Sequence, residues 1–201
     1  MGEEQPFRVL LILFFALFLP IGIYHRVKSE APREKLDRRQ EGLFILATLR
    51  PLGAAMWIGV IAWMINPGWM GWSRILLPET VRWIGVGVLV GAIALMIWTL
   101  RSLGPNLTDT VVTRRQHTLV TRGPYHWIRH PFYVCAALLV IGLSLITANW
   151  FLMLSGGIVL VLLVIRTRTE EANLVARFGD DYRRYMKRTG RFFPRMRATS
   201  I

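Results

Sequence analysis

The chain has 201 residues, 53% of them hydrophobic, and 25 Lys+Arg against 12 Asp+Glu give it a formal net charge of +13. Its mean hydropathy is +0.40. These values exclude an ordinary soluble basic protein. A nucleic-acid binder of this charge carries a polar majority and basic stripes, whereas here the charges are expelled from long apolar blocks. The sequence reads as a single-domain integral membrane protein with no nucleic-acid partner.

Phe7 to Tyr24 is apolar apart from Arg8, and at 1.5 Å per residue it reaches ~27 Å, close to the hydrocarbon thickness of a bilayer. It reads as a first span (7–24) rather than a cleaved signal peptide. Glu3 and Glu4 precede it in place of a basic cluster, and Tyr24-His25-Arg26 is no small-residue cleavage site. Second and third spans are expected over 43–65 and 81–100, the latter with Gly85, Gly87, Gly91 and Ala94 offering a neighbouring helix close approach. The apolar block from Phe132 to Ile165 is too long for one crossing and is broken by Thr147-Ala148-Asn149-Trp150. It therefore predicts a hairpin of two spans, 132–147 and 150–165, each leg reaching ~25 Å. The expected fold is all-α, with about five transmembrane helices, the last two a hairpin, and a cytoplasmic C-terminal helical tail.

Lys and Arg are retained on the cytoplasmic side of a membrane, and here they sort by segment. Arg26, Lys28, Arg33, Lys35, Arg38 and Arg39 follow span one, and Arg101, Arg114, Arg115, Arg122 and Arg129 follow span three. The tail after span five carries ten more arginines and lysines, from Arg166 to Arg197. The alternate segments hold only Arg74 and, just inside span three, Arg82. This pattern places the N-terminus outside and the C-terminus inside, and it accounts for the positive charge with membrane lipids as the only partner it requires.

Two segments exceed simple connections. Residues 101–131 form a link of a length that is uncommon without a function. The tail, 166–195, reads as a helix stopped at Gly179 and a second one from Asp180 or Asp181 through Lys187, with Tyr182 and Tyr185 one turn apart. The densest run of polar and aromatic residues is His117 to Tyr133. There Gly123-Pro124 makes a rigid turn and Pro131 suits the first turn of span four. Read from its residues alone, this run is either a site or a turn with membrane-surface aromatics and a snorkelling arginine.

Other residues are weaker signals. His126 and His130 stand four apart, but no carboxylate lies in the stretch, and no metal site is assigned. Cys135, the single cysteine, reads as a small core residue. Asn106-Leu107-Thr108 matches a glycosylation acceptor on the wrong side of the membrane. Arg166 and Glu170 share a helix face four residues apart, while Arg168 and Glu171 read as solvated charge. Arg50, seven residues into span two, either makes a buried contact or snorkels.

The run HTLVTRGPYHWIRHPFYV (117–134), followed after the apolar hairpin by RTRTEEANLVARFGDDYRRYMKRTGRFFP (166–194), resembles the isoprenylcysteine carboxyl methyltransferase family and its phospholipid methyltransferase relatives. The resemblance rests on the order and spacing of Gly-Pro-Tyr, Arg-His-Pro, Glu-Glu and the Phe-Gly, Tyr, Tyr, Arg, Pro tail. It implies an integral membrane enzyme that uses S-adenosyl-L-methionine, with 101–131 and 166–195 enclosing the cofactor. By that resemblance His117, Thr118, Leu119 and Val120 line the cofactor and Tyr125 packs beside it. Arg129, His130, Pro131 and Phe132 hold its polar end, Glu170 contacts it, and Arg166 faces the acceptor as the catalytic residue.

The implied reaction is methyl transfer to a lipophilic acceptor at the membrane surface, either a carboxylate of isoprenylcysteine type or a lipid amine. The chain departs from the family at Cys135, where a glycine is common, and in lacking a tryptophan near Leu103-Gly104-Pro105. Two other readings stand beside it. One is an NADPH-dependent membrane reductase of sterol-reductase-like fold, against which Pro124 and Pro131 speak. The other is a non-catalytic assembly factor, against which the intact Tyr125, His130, Arg166 and Glu170 speak.

Overall fold

A computed structural model describes residues 4–29, 43–104 and 118–195. Among them the chain is helical: α1 (Gln5–Ser29), α2 (Leu43–Ile65), α3 (Glu79–Leu103), α4 (Pro131–Thr147), α5 (Trp150–Phe178) and α6 (Asp180–Arg188). Four of these, α1, α2, α3 and α5, are long and apolar enough to cross a membrane, and α4 is a shorter apolar helix of 17 residues. The all-α membrane architecture expected from the apolar runs is the one observed. Its outward surface is apolar, with Leu17, Ile58, Ile84, Val90 and Val161 all exposed, as lipid-facing positions require.

Helix ends follow local chemistry. Gly104 and Gly179 stop α3 and α5 with φ of 55° and 56°, a region that favours glycine. In the α4–α5 hairpin Ala148 takes φ 46°, and Asn149 caps α5, its Oδ1 accepting from Leu152 N at 3.1 Å. The Asn149 amide also donates to Ser73 Oγ at 2.8 Å and to the Met70 carbonyl at 3.3 Å. The hairpin tip is thereby tied to the 3-10 turn Pro67–Ser73 that follows α2. The fifth span does not end at the membrane surface: α5 runs unbroken for 29 residues and carries the Arg166-to-Phe178 segment on the same rod.

α3 and α4 cross at two glycines. A Cβ on Gly142 would lie 2.6 Å from Leu89 Cδ2 and 3.1 Å from the Gly85 carbonyl oxygen, and one on Gly85 would lie 2.8 Å from Leu145 Cβ. Gly87 and Gly91, grouped with Gly85 from sequence, face open space. A core of Phe7, Leu11, Phe14 and Phe15 from α1, Val60 and Trp63 from α2, Leu89, Leu143, Ile146 and Leu152 closes the bundle toward one end. At the other end the chain brings together its polar residues.

Candidate functional site

The site is built where the C-terminal end of α3, the start of α4 and the outer turns of α5 meet α6 and the strand-like segment after it. The approach to α4 is fixed by Gly123. With φ 60°, a Cβ there would lie 2.1 Å from Ser102 Oγ of α3, so the Gly123-Pro124 turn seats directly on the end of that helix. Residues 127–130 then pair with the tail. Arg129 N donates to the Gly190 carbonyl at 2.9 Å, His130 N to that of Arg191 at 3.1 Å, and Gly190 N to that of Trp127 at 3.1 Å. A further tie comes from Tyr185, whose hydroxyl donates to the Tyr125 carbonyl at 2.6 Å.

Glu171 sits at the centre of this junction and is 4% exposed. Its Oε1 accepts from Arg129 Nε at 2.9 Å, from Arg191 Nε at 3.2 Å and lies 3.2 Å from His130 Nε2; its Oε2 pairs with Arg191 Nη2. Burial pushes the carboxyl pKa up, but the hydrogen bonds from His130, Arg191 and Arg129 and the Arg129 charge outweigh it and hold the group well below the usual carboxylate range. The Arg129 guanidinium also donates from Nη1 to the carbonyls of Thr189 at 2.5 Å and Met186 at 3.2 Å. It thus ties the approach to α4 to α5, to α6 and to the segment that follows α6.

Glu170, the preceding residue, turns to other partners. Its Oε2 accepts from Tyr133 OH at 2.7 Å and lies 3.9 Å from His130 Nδ1, and its side chain is 29% exposed. The rings of His130 and Tyr133 stack at 5.4 Å with an interplanar angle of 4°, and Phe192 approaches His130 at 5.9 Å. The buried imidazole therefore has a carboxylate on each ring nitrogen.

Of the residues singled out from sequence, the structure brings Arg129, His130 and Glu170 into one cluster, with Pro131 buried as the first residue of α4. Tyr125 is half-buried beside it through Tyr185, and desolvation, with Glu170 adding to it, raises its phenol pKa. Arg166 is half-buried on α5, one turn before Glu170. Thr118 and Phe132 are exposed, Leu119 and Val120 half-buried. His117 and Asn106-Leu107-Thr108 lie outside the described residues. His126 is exposed, unlike His130, and packs edge-on to Trp127. Arg50 is exposed on α2. Cys135 is buried with its Sγ 4.0 Å from Thr99 Oγ1 of α3.

One reading of the sequence is corrected. Arg168 is exposed, but Glu171 is not a solvated charge. Its signal was periodicity: the buried residues of α5 include Thr167, four positions earlier on the same face. Tyr133 and Arg191 were also missed as site residues, because their roles depend on partners 37 and 20 positions away.

An all-helical membrane bundle with a buried carboxylate, arginine and histidine cluster at one end is the class of protein these elements define. Residues 83–176 match the sequence model of the isoprenylcysteine carboxyl methyltransferase family, and over that stretch the chain resembles its members. The matched stretch contains Arg129, His130, Tyr133, Glu170 and Glu171; the Arg191 segment lies beyond it.

Similar proteins include the cobalt-zinc-cadmium resistance protein CzcN of Cupriavidus metallidurans, 32% identical over 57% of this chain and 55% of that one. The protein-S-isoprenylcysteine O-methyltransferase of Schizosaccharomyces pombe is 36% identical over 42% of this chain and 37% of its own. The matches thus span about half of these relatives' length or less. The structure of a eukaryotic intramembrane Ras methyltransferase, isoprenylcysteine carboxyl methyltransferase, has the same fold: TM-score 0.55 at 19% identity, covering 91% of this chain and 67% of that one.

Proposed function

We propose that the chain is a methyltransferase that uses S-adenosyl-L-methionine to methylate a lipophilic acceptor at the membrane surface. The acceptor is a carboxylate, as in isoprenylcysteine O-methylation, or a lipid amine. The observation that carries this reading is the Glu170–His130–Glu171 arrangement, with Tyr133 and Arg129 bound to it, inside the stretch matched to the methyltransferase family. The positive residues favour an N-terminus outside and a site that opens to the cytoplasm.

The donor set fits such a cofactor. A partly exposed carboxylate beside stacked aromatic rings is an environment that an ammonium group and a sulfonium both favour. Glu170, Tyr125, Arg129, His130, Pro131 and Phe132 would hold it, with His117, Thr118, Leu119 and Val120 along the preceding segment. When bound, S-adenosyl-L-methionine supplies an electrophilic methyl group for in-line transfer. The chain's own contribution is then alignment and exclusion of water. A carboxylate acceptor is nucleophilic as it stands and needs only orientation, the role we assign to Arg166. An amine acceptor must first lose a proton, for which His130 is the histidine at the site.

The test is calorimetric binding of S-adenosyl-L-methionine and, separately, NADPH to the detergent-purified protein and to Glu170→Ala. Binding of the methyl donor, weakened in the variant, is the expected result. Binding of NADPH alone would make the reductase the correct reading. Arg166→Ala should impair acceptor turnover more than cofactor binding, and equal loss of both would remove its assignment to the acceptor.

A further inference from the structure

Glu170 and Glu171 are neighbours in sequence, yet they meet opposite nitrogens of the buried His130: Glu170, with its side chain 29% exposed, faces Nδ1, and the buried Glu171 faces Nε2. The buried member has the stronger supports. Arg129 is fixed by two tail carbonyls, Arg191 belongs to the segment whose backbone pairs with 127–130, and both donate to Glu171. An arginine has only donors, so neither Arg129 nor Arg191 could accept a proton from an imidazole N–H. Glu171 is the acceptor that lets two cations and a ring N–H share one buried point.

We propose that Glu171 is a positioning residue: by accepting the Nε2–H of His130 it fixes the tautomer and ring plane of that histidine, and so sets the face that Nδ1 and the stacked Tyr133 present to Glu170. The proposal rests on the methyltransferase reading for its consequence in catalysis, but not for its geometry. Which imidazole nitrogen carries a proton is decided by the hydrogen bond made by its partner nitrogen. Glu171 Oε1 lies 3.2 Å from Nε2, and Glu170 Oε2 lies 3.9 Å from Nδ1. The parallel stack on Tyr133, with Phe192 tilted beside it, holds the ring plane, and the carboxylate at Nε2 selects between its two orientations. Tyr133 OH, bonded to the same Glu170 oxygen that faces Nδ1, completes a chain from the two arginines to the accessible carboxylate. The paired glutamates thus divide their work: Glu171 organises and Glu170 meets the ligand.

The first test is nitrogen NMR of full-length protein labelled with ¹⁵N-histidine in lipid nanodiscs, with His130→Asn used to assign the His130 signals. A single tautomer with the proton on Nε2 is expected in the native protein, and tautomer averaging in Glu171→Leu, which has no oxygen to accept from the ring. Unchanged His130 signals in Glu171→Leu would overturn the proposal. Should that variant not fold, Glu171→Asp keeps the negative charge but draws the oxygen shared by Arg129, Arg191 and His130 back by one methylene, and the same loss of signature is expected.

The second test is a double-mutant cycle on S-adenosyl-L-methionine affinity. Glu171→Leu and His130→Asn should each weaken binding by about 10-fold, the worth of one charge-assisted hydrogen bond, and together by no more than the worse of the two. Effects that multiply would show that Glu171 acts other than through His130, and would overturn the proposal. A native protein that does not bind the methyl donor would sink the methyltransferase reading, while the histidine signals would still decide the positioning role.

Discussion

Arg82 and Glu4 are joined across 78 positions of sequence by a 2.5 Å contact between Nη2 and Oε2. Arg82 is 4% exposed, lies 4.0 Å over the Phe7 ring and donates from Nε to the Ile146 carbonyl at 2.9 Å. The pair therefore pins the start of α1 to α3 and to the end of α4, at the opposite end of the bundle from Glu171. Removing one member of a buried pair leaves the other charge uncompensated. Glu4→Ala should lower stability by about 3 kcal/mol. Arg74 meets the same glutamate at 3.3 Å but is half exposed, so Arg74→Ala should cost no more than ~1 kcal/mol. Thermal unfolding of the two variants in one detergent checks the contrast, and equal shifts would contradict it.

The glycines of α3 and α4 make a second contrast. A methyl at Gly142 would meet Leu89 and the Gly85 carbonyl inside the helix crossing, and overpacking of this kind costs about 1–3 kcal/mol. Gly91 faces open space, and there alanine should be neutral or stabilising by up to ~1 kcal/mol through helix propensity. Melting temperatures of Gly142→Ala and Gly91→Ala should move in opposite directions or differ by the full overpacking cost.

Gly190 controls the tail. A Cβ there would lie 1.7 Å from the Phe193 carbonyl oxygen, a backbone atom that no rotamer change can withdraw. Gly190→Ala should therefore release the pairing with residues 127–130 while leaving the bundle helical. Trypsin should cut after Arg191 and Arg195 at least tenfold faster than in the native protein, with unchanged helical circular dichroism. An unaltered cleavage rate would show that the segment is held by other contacts.

The pH dependence follows from Glu171. Its folded pKa is depressed, so its contribution to stability is fully present above the unfolded value, near 4.5, and is lost as pH falls from there toward the folded value. The melting-temperature gap between the native protein and Glu171→Gln should be constant from pH 7 to about pH 5.5 and narrow below about pH 4.5. A gap that narrows already between pH 7 and pH 6 would mean that another group is responsible.

The fold was legible because the bilayer imposes a minimum length on apolar runs, and the break at Thr147-Ala148-Asn149-Trp150 could only be a turn. The Gly85 crossing was legible too, but not which of its companions would share it. Gly142 lies on a helix whose face toward α3 depends on the crossing angle, and Gly87 and Gly91 point elsewhere.

In the site, Arg129, His130 and Glu170 stood out as chemistry-bearing types in an ordered pattern. Glu171 did not, since a charge on a helix beyond the membrane reads as solvated until its partners are known. Those partners come from 42 positions before it and 20 after it, a distance over which sequence spacing carries no geometry.

The unbroken course of α5 makes the two membrane faces mechanically continuous. From Asn149 at the hairpin tip to Glu171 the rod measures ~33 Å at 1.5 Å per residue. A rigid rod of that length pivoted at its anchored tip displaces its far end by about 3 Å for each 5° of tilt, and tilt is how a helix accommodates a thicker or thinner bilayer. Glu170 and Glu171 ride on that far end, whereas His130 belongs to α4. Bilayer thickness therefore acts on the registry between the carboxylates and the histidine, and the lipid composition of the host membrane becomes a variable of the site's alignment.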